Sequence, residues 1–289
     1  MALALITGAS TGIGQATALR LVGAGWEVLA GVRDPADGER LVEESGASAG
    51  SSPGRIIPLT LDVTDPAQIA DAASFVDGRA NGRSGPGRLD ALVNNAGIGV
   101  GGPLEVLAMA DLRLQLEVNV VGQVAITQAL IPALRRAGGR IVFVSSVGGR
   151  VALPFNAPYA ASKHAVEAIG DALRGELHGS GIAVSLVEPG SVKTPIWQKS
   201  RAEVERLEVP PELESQYGHV KSAFSKVLSE TESRGVLPER VAATIERALT
   251  TRRPRSRYLV GVDARGMVLG RALLPSRVFD GVIRRALGI

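Results

Sequence analysis

Short apolar runs alternate with longer amphipathic stretches along most of the chain. The runs predict β-strands at residues 3–7, 27–32, 56–63, 89–94, 140–145, 183–188 and 258–262. Between them, apolar positions at helical spacing predict helices at 12–23, 66–80, 111–137, 159–179 and 238–250. Strands that are apolar throughout and separated by helices indicate a parallel sheet covered on both faces. We therefore predict a single α/β domain over 1–289, with a doubly wound parallel sheet of about seven strands.

Two segments interrupt this alternation of strands and helices. Residues 193–235 form a charged, mostly helical insertion between a predicted strand and the next predicted helix. Residues 252–289 end the chain with a strand and a helix that mixes leucine, valine and isoleucine with arginine, interrupted by Pro275. The predicted domain thus carries a helical insertion and a helical C-terminal extension.

The composition narrows the classes of protein that the chain can belong to. With 45% hydrophobic and 21% charged residues it has an ordinary globular balance, and a net charge of +3 predicts no broad nucleic-acid surface. The chain has no cysteine, which excludes disulfides and thiolate metal sites, and its three dispersed histidines predict no metal cluster. We find no signal peptide and no run near the ~20 apolar residues that cross a bilayer, so we expect a cytoplasmic protein.

A glycine-rich turn joins the first predicted strand to the first predicted helix. Glycines let the backbone turn sharply and approach a pyrophosphate, whose charge is stabilised by free amides at the helix N-terminus. Glycines also serve simple chain reversal, but the flanking strand and helix, and a second strand about 20 residues on, favour a nucleotide site. We predict a Rossmann-type dinucleotide-binding fold. The residues of the turn are Gly8, Ser10, Thr11, Gly12, Ile13 and Gly14.

The end of the second predicted strand indicates which dinucleotide is bound. An NAD site places an acidic residue there to accept from the ribose hydroxyls, whereas here Val32 is followed by Arg33. A guanidinium suits a ribose 2′-phosphate through its charge and its two-pronged hydrogen bond. Alternatively, Arg33 is a solvated loop cation, or Asp34 is the ribose acceptor. The pattern favours NADP(H), with NAD(H) as the other possible cofactor.

Tyr159 and Lys163 lie four residues apart in a predicted helix, so their side chains face the same way. A phenol with an ordinary pKa near ~10 is a poor acid or base at neutral pH. A fixed cation nearby favours the phenolate and lowers that pKa. The same spacing is common on solvated helices. However, Ser146 lies at the end of a predicted strand, and ligands of open α/β sheets bind beyond such strand ends.

Several motifs occur in order along the chain: Thr7-Gly-x3-Gly-x-Gly14, Asp62-Val63, Asn94-Asn-Ala-Gly97, Asn119, Ser146, Tyr159-x3-Lys163 and Pro189-Gly190 followed by Thr194. In these motifs the sequence resembles the short-chain dehydrogenase/reductase family. The stretch before Tyr159 is most similar to the branch of 17β-hydroxysteroid dehydrogenase type 1 and the retinol dehydrogenases, which generally uses NADP(H). The resemblance implies hydride transfer between NADP(H) and a hydrophobic secondary alcohol, ketone or aldehyde, such as a steroid or retinoid.

The resemblance also implies a role for each matching residue. Tyr159 would exchange a proton with the substrate oxygen, Ser146 would hydrogen-bond that oxygen, and Lys163 would hold the nicotinamide ribose and lower the pKa of the tyrosine. Asn119 would anchor a water in a proton relay from Lys163. The remaining cofactor contacts would be Asp62 and Val63 at the adenine, Asn95, Ala96 and Gly97 at the adenosine side, and Val192 and Thr194 at the carboxamide, with Pro189 and Gly190 in the same motif.

Each of these residues also has a purely structural interpretation. Asn119 would then stabilise a helix kink, Asp62 would cap a turn, and the asparagines of 94–97 would only end a strand. Ser145 competes with Ser146 for the serine role, although the interval of thirteen residues to Tyr159 favours Ser146. The occurrence of all the motifs in order favours the functional interpretation.

The segment 193–235 lies where members of the family build a substrate lid. Its large side chains, Ile196, Trp197, Tyr217, His219, Val220 and Phe224, either form a pocket for a bulky hydrophobic substrate or pack the lid onto the body. The C-terminal helix either packs on its own domain or a neighbouring subunit, or contacts a membrane surface. By resemblance we expect a homodimer or homotetramer that pairs through the helices holding Asn119 and Tyr159.

Two rival functions remain at this point. A non-catalytic redox sensor that binds NADP would have no need for Ser146, Tyr159 and Lys163 together. An epimerase or dehydratase acting on nucleotide sugars would have a larger C-terminal domain and the other glycine spacing. The sequence therefore favours an enzyme that acts on a small hydrophobic alcohol or carbonyl compound.

Overall fold

A computed structural model describes residues 1–46, 53–79, 86–196, 204, 206, 209–222, 225, 229 and 233–287. Its strands form one parallel seven-stranded sheet in the order β3-β2-β1-β4-β5-β6-β7. The chain order reverses between β1 and β4, so the predicted doubly wound α/β fold is confirmed. The strands are β1 (Leu3–Thr7), β2 (Glu27–Val32), β3 (Arg55–Thr60), β4 (Ala91–Asn94), β5 (Arg140–Val144), β6 (Ala183–Pro189) and β7 (Arg257–Val260).

Helices cover both faces of the sheet, as the apolar strands predict. In the described part of the chain they are α1 (Gly12–Gly23), α2 (Pro35–Glu44), α3 (Pro66–Asp77), α4 (Met109–Leu116), α5 (Gly122–Ala137), α6 (Ala157–Glu176), α7 (Glu214–Tyr217), α8 (Pro238–Thr250), α9 (Val262–Leu273) and α10 (Ser276–Leu287).

Two hydrophobic cores lie on the two faces of the sheet, because successive strand residues point to opposite sides. In β1, Ile6 packs into the core with α1, α2 and α8, whereas Leu5 packs into the core with α3, α5 and α6. In β6, Val187 belongs to the first core and Leu186 to the second. Because all seven strands are parallel, their carboxyl ends lie at the same edge of the sheet.

The structure corrects several predicted boundaries and adds one helix. β3 ends at Thr60 instead of residue 63, and β4 begins at Ala91 instead of residue 89. Helix α2, which the sequence analysis does not predict, directly follows β2. Its N-cap is Asp34, whose side chain accepts a hydrogen bond of 3.0 Å from the Ala36 amide, and Pro35 occupies the first helical position.

The long helix predicted at 111–137 begins at Met109 and is interrupted by a π-helical turn at Glu117–Val121. By length and composition, Met109–Ala137 would suffice to cross a membrane, so the prediction that no stretch approaches that size is wrong. Its inner face, however, carries the buried polar residues Gln115, Asn119 and Gln123. Their side chains bond to the loop after β4, as in a helix that packs on a sheet.

The insertion 193–235 is described only in part, and Trp197 and Phe224 lie outside the described residues. Its described portion includes a 3₁₀ turn at Pro211–Leu213, followed by the short helix α7. The C-terminal extension contains two helices, not one, because Pro275 separates α9 from α10. Phe279 of α10 is buried and folds back on α9, where its ring lies 5.8 Å from the guanidinium carbon of Arg271.

Candidate active site

The glycine-rich turn between β1 and α1 has a backbone conformation that is strained for residues other than glycine. Gly8 and Gly12 have φ angles of +63° and +58°. A Cβ on Gly14 would lie 2.2 Å from the carbonyl oxygen of Gly8, so helix and turn pack without room for a side chain. Thr11, the N-cap of α1, makes no cap hydrogen bond through its side chain to any described residue. The first amides of α1 are therefore available to an anion.

Asn95 joins this turn to the neighbouring loop after β4. Its Nδ2 donates to the carbonyl oxygens of Thr7 at 3.0 Å and Gly8 at 2.9 Å. In return, the Thr7 hydroxyl accepts from the backbone amides of Asn95 and Ala96. A Cβ on Gly8 would lie 2.9 Å from the Cα of Ala96. The two loops at the switch point of the sheet are thus fixed side by side.

An open cleft runs along the carboxyl edge of the sheet, and loops after six of the strands line it. Of the residues that the sequence predicts for the site, Gly14 and Asn119 lie outside the lining, and the others line it together. The predicted residues that line the cleft are Gly8, Ser10, Thr11, Gly12, Ile13, Arg33, Asp62, Val63, Asn95, Ala96, Gly97, Ser146, Tyr159, Lys163, Pro189, Gly190, Val192 and Thr194.

The cleft also contains residues outside the predicted catalytic and cofactor set, among them Ser145, the rival of Ser146, and Ile196 of the insertion. They are mostly apolar side chains at strand ends and in the loops that follow, where an aliphatic residue gives no signal that separates a cleft wall from the core. They are Val32, Leu61, Ile98, Val118, Val144, Ser145, Pro195 and Ile196.

The two charged residues after β2 have different environments. Arg33 is exposed and lines the cleft, whereas Asp34 caps α2 and lies outside the lining formed by the described residues. The alternative that Asp34 accepts from a ribose therefore loses support. Asp62 fits both the cofactor-contact and the turn-cap interpretation. It lines the cleft, and its Oδ1 accepts from the amide and hydroxyl of Thr64 at 2.9 and 2.8 Å.

Ser146 and Tyr159 meet at the middle of the cleft. Ser146 caps the 3₁₀ turn Val147–Gly149, where its Oγ accepts from the Gly148 amide at 3.0 Å. A Cβ on Gly148 would lie 3.2 Å from the Tyr159 ring, so this glycine lets the phenol approach the serine. Burial raises the pKa of Tyr159, and a hydrogen bond with Ser146 partly offsets the rise. The phenol is therefore held in its protonated form at neutral pH.

Lys163 lies one helical turn after Tyr159 and is buried. Its Nζ donates to the carbonyl oxygen of Val144 at 2.8 Å and lies 5.7 Å from the centre of the Tyr159 ring. Burial lowers the pKa of Lys163 to about 8, against the opposing charge of Glu167. Burial outweighs the hydrogen bond of Ser146 at the phenol, and the lowering of the Tyr159 pKa by Lys163 stays a prediction.

Asn119 lies in the π-helical turn and is fully buried. Its amide forms a pair of hydrogen bonds with the backbone of Ile98, at 2.9 and 3.0 Å, and its Nδ2 also donates to the Ser162 hydroxyl at 3.1 Å. These contacts fit the structural interpretation, in which Asn119 stabilises a distorted helix. Its role in a proton relay stays a prediction.

The described part of the insertion contacts the segments that precede α4 and α6. The Tyr217 hydroxyl donates to Glu105 at 2.6 Å, and the His219 ring packs edge-to-face on Phe155 with centroids 6.1 Å apart. Phe155 has a φ of +62°, which is unusual for a residue with a side chain. The sequence carries no signal for this strained position, which aims an aromatic ring at the lid.

Comparisons with known proteins agree with this geometry. The family model for short chain dehydrogenases matches residues 2–205. The chain is 36% identical over 290 residues to retinol dehydrogenase 5 of Mus musculus, covering 98% of this chain and 87% of that protein. It is 33% identical over 292 residues to an NADPH-dependent 3-dehydrocapnine reductase of Ornithobacterium rhinotracheale, covering 99% and 98% of the two chains.

Solved structures share the fold over nearly the whole chain. A short-chain dehydrogenase/reductase from Burkholderia phymatum in complex with NAD superposes with a TM-score of 0.77 at 26% identity. The alignment covers 94% of this chain and 92% of that one.

Proposed function

Since the chain belongs to the short-chain dehydrogenase family and is an oxidoreductase, we propose that it transfers a hydride between NADP(H) and a hydrophobic secondary alcohol or the corresponding ketone or aldehyde. The observation that carries this proposal is the composition of the cleft. The glycine-rich turn, which suits a pyrophosphate, lines the same cleft as Ser146 and Tyr159. A dinucleotide laid along the sheet edge would bring its nicotinamide toward those two hydroxyls.

The residues present fit such a cofactor. Gly8, Gly12 and Gly14 leave the turn without side chains where a pyrophosphate would approach, and the amides of α1 face it. Lys163 offers its ammonium one helical turn from Tyr159, and Thr194 lines the cleft beside Gly12 of the glycine-rich turn. When bound, the nicotinamide supplies or accepts the hydride.

The chain's own residues handle the proton. In the direction of reduction, Tyr159 donates its phenolic proton to the carbonyl oxygen, and Ser146 donates a hydrogen bond that holds this oxygen. The raised pKa of Tyr159 keeps the proton available at neutral pH. In the direction of oxidation the phenol must first lose that proton, so the buried site favours reduction at neutral pH and oxidation at higher pH.

The charge after β2 supports NADP(H) over NAD(H). Arg33 is exposed at the adenosine end of the cleft, and Asp34 is occupied by its cap contact with α2. The named reductase relative is NADPH-dependent, whereas the solved neighbour holds NAD. The preference therefore rests on Arg33.

Contacts of the insertion support a hydrophobic substrate. The His219 ring packs on Phe155, four residues before Tyr159, and the Tyr217 hydroxyl donates to Glu105. The relatives include a retinol dehydrogenase and a 3-dehydrocapnine reductase. We therefore assign the substrate to this class. A cytoplasmic location stays a prediction.

The experiment that tests the function is a spectrophotometric screen of ketones, aldehydes and alcohols with NADPH and NADH, followed by Tyr159→Phe. We expect this variant to bind cofactor normally and to lose at least about 10²-fold in kcat, because the proton donor is gone. Tyr258→Phe is the matched control, since it removes a phenolic hydroxyl from β7, away from the cleft. Undiminished turnover in Tyr159→Phe would refute the assigned chemistry and favour a binding protein.

A further inference from the structure

A glutamate that the proposed chemistry does not use is fully buried near the end of β6. Glu188 has an exposed fraction of 0%. It points to the same face as Leu186, which packs against α6, whereas Val187 points to the opposite core. A buried carboxyl at this place needs partners, because burying an unpaired charge is costly.

Glu188 and Glu167 of α6 share one arginine. The Nε of Arg257 lies 2.9 Å from Oε2 of Glu167 and 3.0 Å from Oε1 of Glu188. Arg150 approaches the same oxygen of Glu188 at 3.2 Å. The Nε–H of Arg257 thus faces the carboxyl groups of Glu167 and Glu188 at once.

Each of the two carboxyl groups has one further oxygen, which does not contact Arg257. Oε1 of Glu167 and Oε2 of Glu188 are both buried and have no donor among the described residues. Their other oxygens both contact the Nε of Arg257, so the two carboxyl groups converge on one N–H. Two carboxylates this close cannot both ionise at low cost, whereas one proton between them satisfies both. In agreement, burial and then the charge of Glu167 raise the pKa of Glu188 to about 7.

The Glu167–Glu188 pair lies close to Lys163. Glu167 is one helical turn from Lys163, and its charge raises the pKa of that lysine against burial. A Cβ on Gly149 would lie 2.9 Å from both Glu167 Cγ and the Lys163 carbonyl oxygen. The Lys163 ammonium bonds to Val144, whose partner on β6 is Val187, the neighbour of Glu188.

The charged groups around Glu188 come from every element that packs on its face. Helix α6 contributes Lys163, Glu167 and Asp171, and Asp171 pairs with Arg257 and Arg174. β7 contributes Arg257, and the turn after β5 contributes Arg150. On the opposite face, α8 presents the apolar side chains Val241, Ile245 and Ala248. Asp263, at the start of α9, bonds to the Ser191 amide.

We propose that Glu167 and Glu188 hold one shared proton and act as a positioning pair that sets the ionisation of Lys163. Release of the shared proton adds a negative charge behind Lys163 and favours its ammonium form. The pair would thus keep the lysine protonated as the pH rises. The shared proton rests on the contacts of Arg257 and on the two carboxyl oxygens without a donor among the described residues, whereas its effect on turnover rests on the proposed function.

The first test measures thermal unfolding against pH and needs no activity. Because the folded pKa of Glu188 is raised above its unfolded value, its contribution to stability is fully present below about pH 4.5 and is lost as the pH rises through about 7. Glu188→Gln keeps a neutral group that cannot titrate. We expect the wild type to lose Tm relative to this variant across that window, and Glu176→Gln, an exposed control on α6, to follow the wild type.

If Glu188→Gln does not fold, Glu167→Gln serves in its place. It removes the like charge, so the protonated-carboxyl band in infrared difference spectra should titrate at lower pH than in the wild type. Parallel Tm curves for the wild type and Glu188→Gln, or an unmoved infrared titration in Glu167→Gln, would overturn the shared proton.

The second test is the pH profile of turnover. In Glu188→Gln the alkaline limb should move to lower pH by about 0.5 to 1 unit, because Lys163 loses the charge that favours its ammonium form. A moved Tm curve with an unmoved alkaline limb would overturn the positioning role and leave the shared proton intact. Loss of the proposed function itself shows separately, as unaffected turnover in Tyr159→Phe.

Discussion

Burial acts in opposite senses on the pKa values of two ionisable residues of the cleft, Tyr159 and Lys163. It raises the pKa of the Tyr159 phenol and lowers the pKa of the Lys163 ammonium to about 8, so in both residues the neutral form gains. Two contacts oppose this tendency: Ser146 hydrogen-bonds the phenol, and Glu167 faces the lysine. The reactive groups are thus tuned by their immediate neighbours more than by each other.

The exposed guanidinium at the adenosine end gives a prediction at the same scale. Arg33→Ala should weaken NADPH binding by about 10-fold or more and leave NADH binding nearly unchanged, because only NADPH carries the 2′-phosphate. Fluorescence titration with both cofactors measures this difference. Arg113→Ala is the matched control, since it removes an exposed arginine from α4. Equal losses for NADPH and NADH in Arg33→Ala would remove the phosphate assignment.

The residues of the cleft differ in how far the sequence could predict them. Ser146, Tyr159 and Lys163 were predictable because their chemistry and spacing are distinctive. Asn119 and Gly14 belong to the same motifs, yet they support the site from outside its lining. Their contacts depend on loops distant in sequence, which no local pattern encodes.

The Glu167–Glu188 pair was even less predictable from the sequence. Glu167 lies on the same helical face as Tyr159 and Lys163, but nothing in the sequence alone pairs it with Glu188, which interrupts an apolar strand. Only the packing of α6 on β6 and β7 brings both onto Arg257.

At the scale of elements, α2 combines a structural cap with a neighbouring cofactor residue. Asp34 and Pro35 start α2 as Asp65 and Pro66 start α3. The start signal was therefore present in the sequence, but the cofactor interpretation of residues 33 and 34 competed with it. For the π-helical turn at Glu117–Val121 the sequence offered only Asn119 as a residue that could stabilise a kink, and its hydrogen bonds with Ile98 fit that interpretation.

The cap gives a prediction that separates the two interpretations of Asp34. Asp34→Ala should lower the free energy of unfolding by about 1 kcal/mol, because the first turn of α2 loses its acceptor. Chemical denaturation measures this loss. The NADPH to NADH affinity ratio should stay as in the wild type. A selective loss of NADH affinity would instead make Asp34 a ribose acceptor.

At the scale of the whole molecule, the doubly wound sheet was predictable because seven apolar runs alternate with helices. The described residues leave several apolar side chains exposed along the helix that holds Asn119: Met109, Leu114 and Val121. A second such group lies on the C-terminal extension, including Leu269, Val278 and Val282. Exposed apolar groups of this kind mark contact surfaces.

We propose that the first group forms the subunit interface of a homodimer or homotetramer. Val121→Glu should then reduce the mass measured by light scattering to that of a smaller assembly, because a charge would be buried in the contact. Val282→Glu, on α10, is the matched control and should keep the wild-type mass. Dissociation by Val282→Glu alone would move the interface to the C-terminal extension.

The C-terminal extension also carries arginines beside its exposed valines, namely Arg277, Arg284 and Arg285. This arrangement suits an anionic lipid surface. Sedimentation with anionic and neutral vesicles distinguishes that surface contact from packing between subunits.

The hydrogen bonds of Asn95 to Thr7 and Gly8 have a consequence for synthesis on the ribosome. They tie the first loop of the protein to one that is translated almost ninety residues later, since the bonded residues are 88 and 87 positions apart. A nascent chain that has completed only β1, α1 and β2 lacks this clamp. The enzyme therefore gains its affinity for dinucleotide late in translation, when the β4 loop has left the exit tunnel and docked.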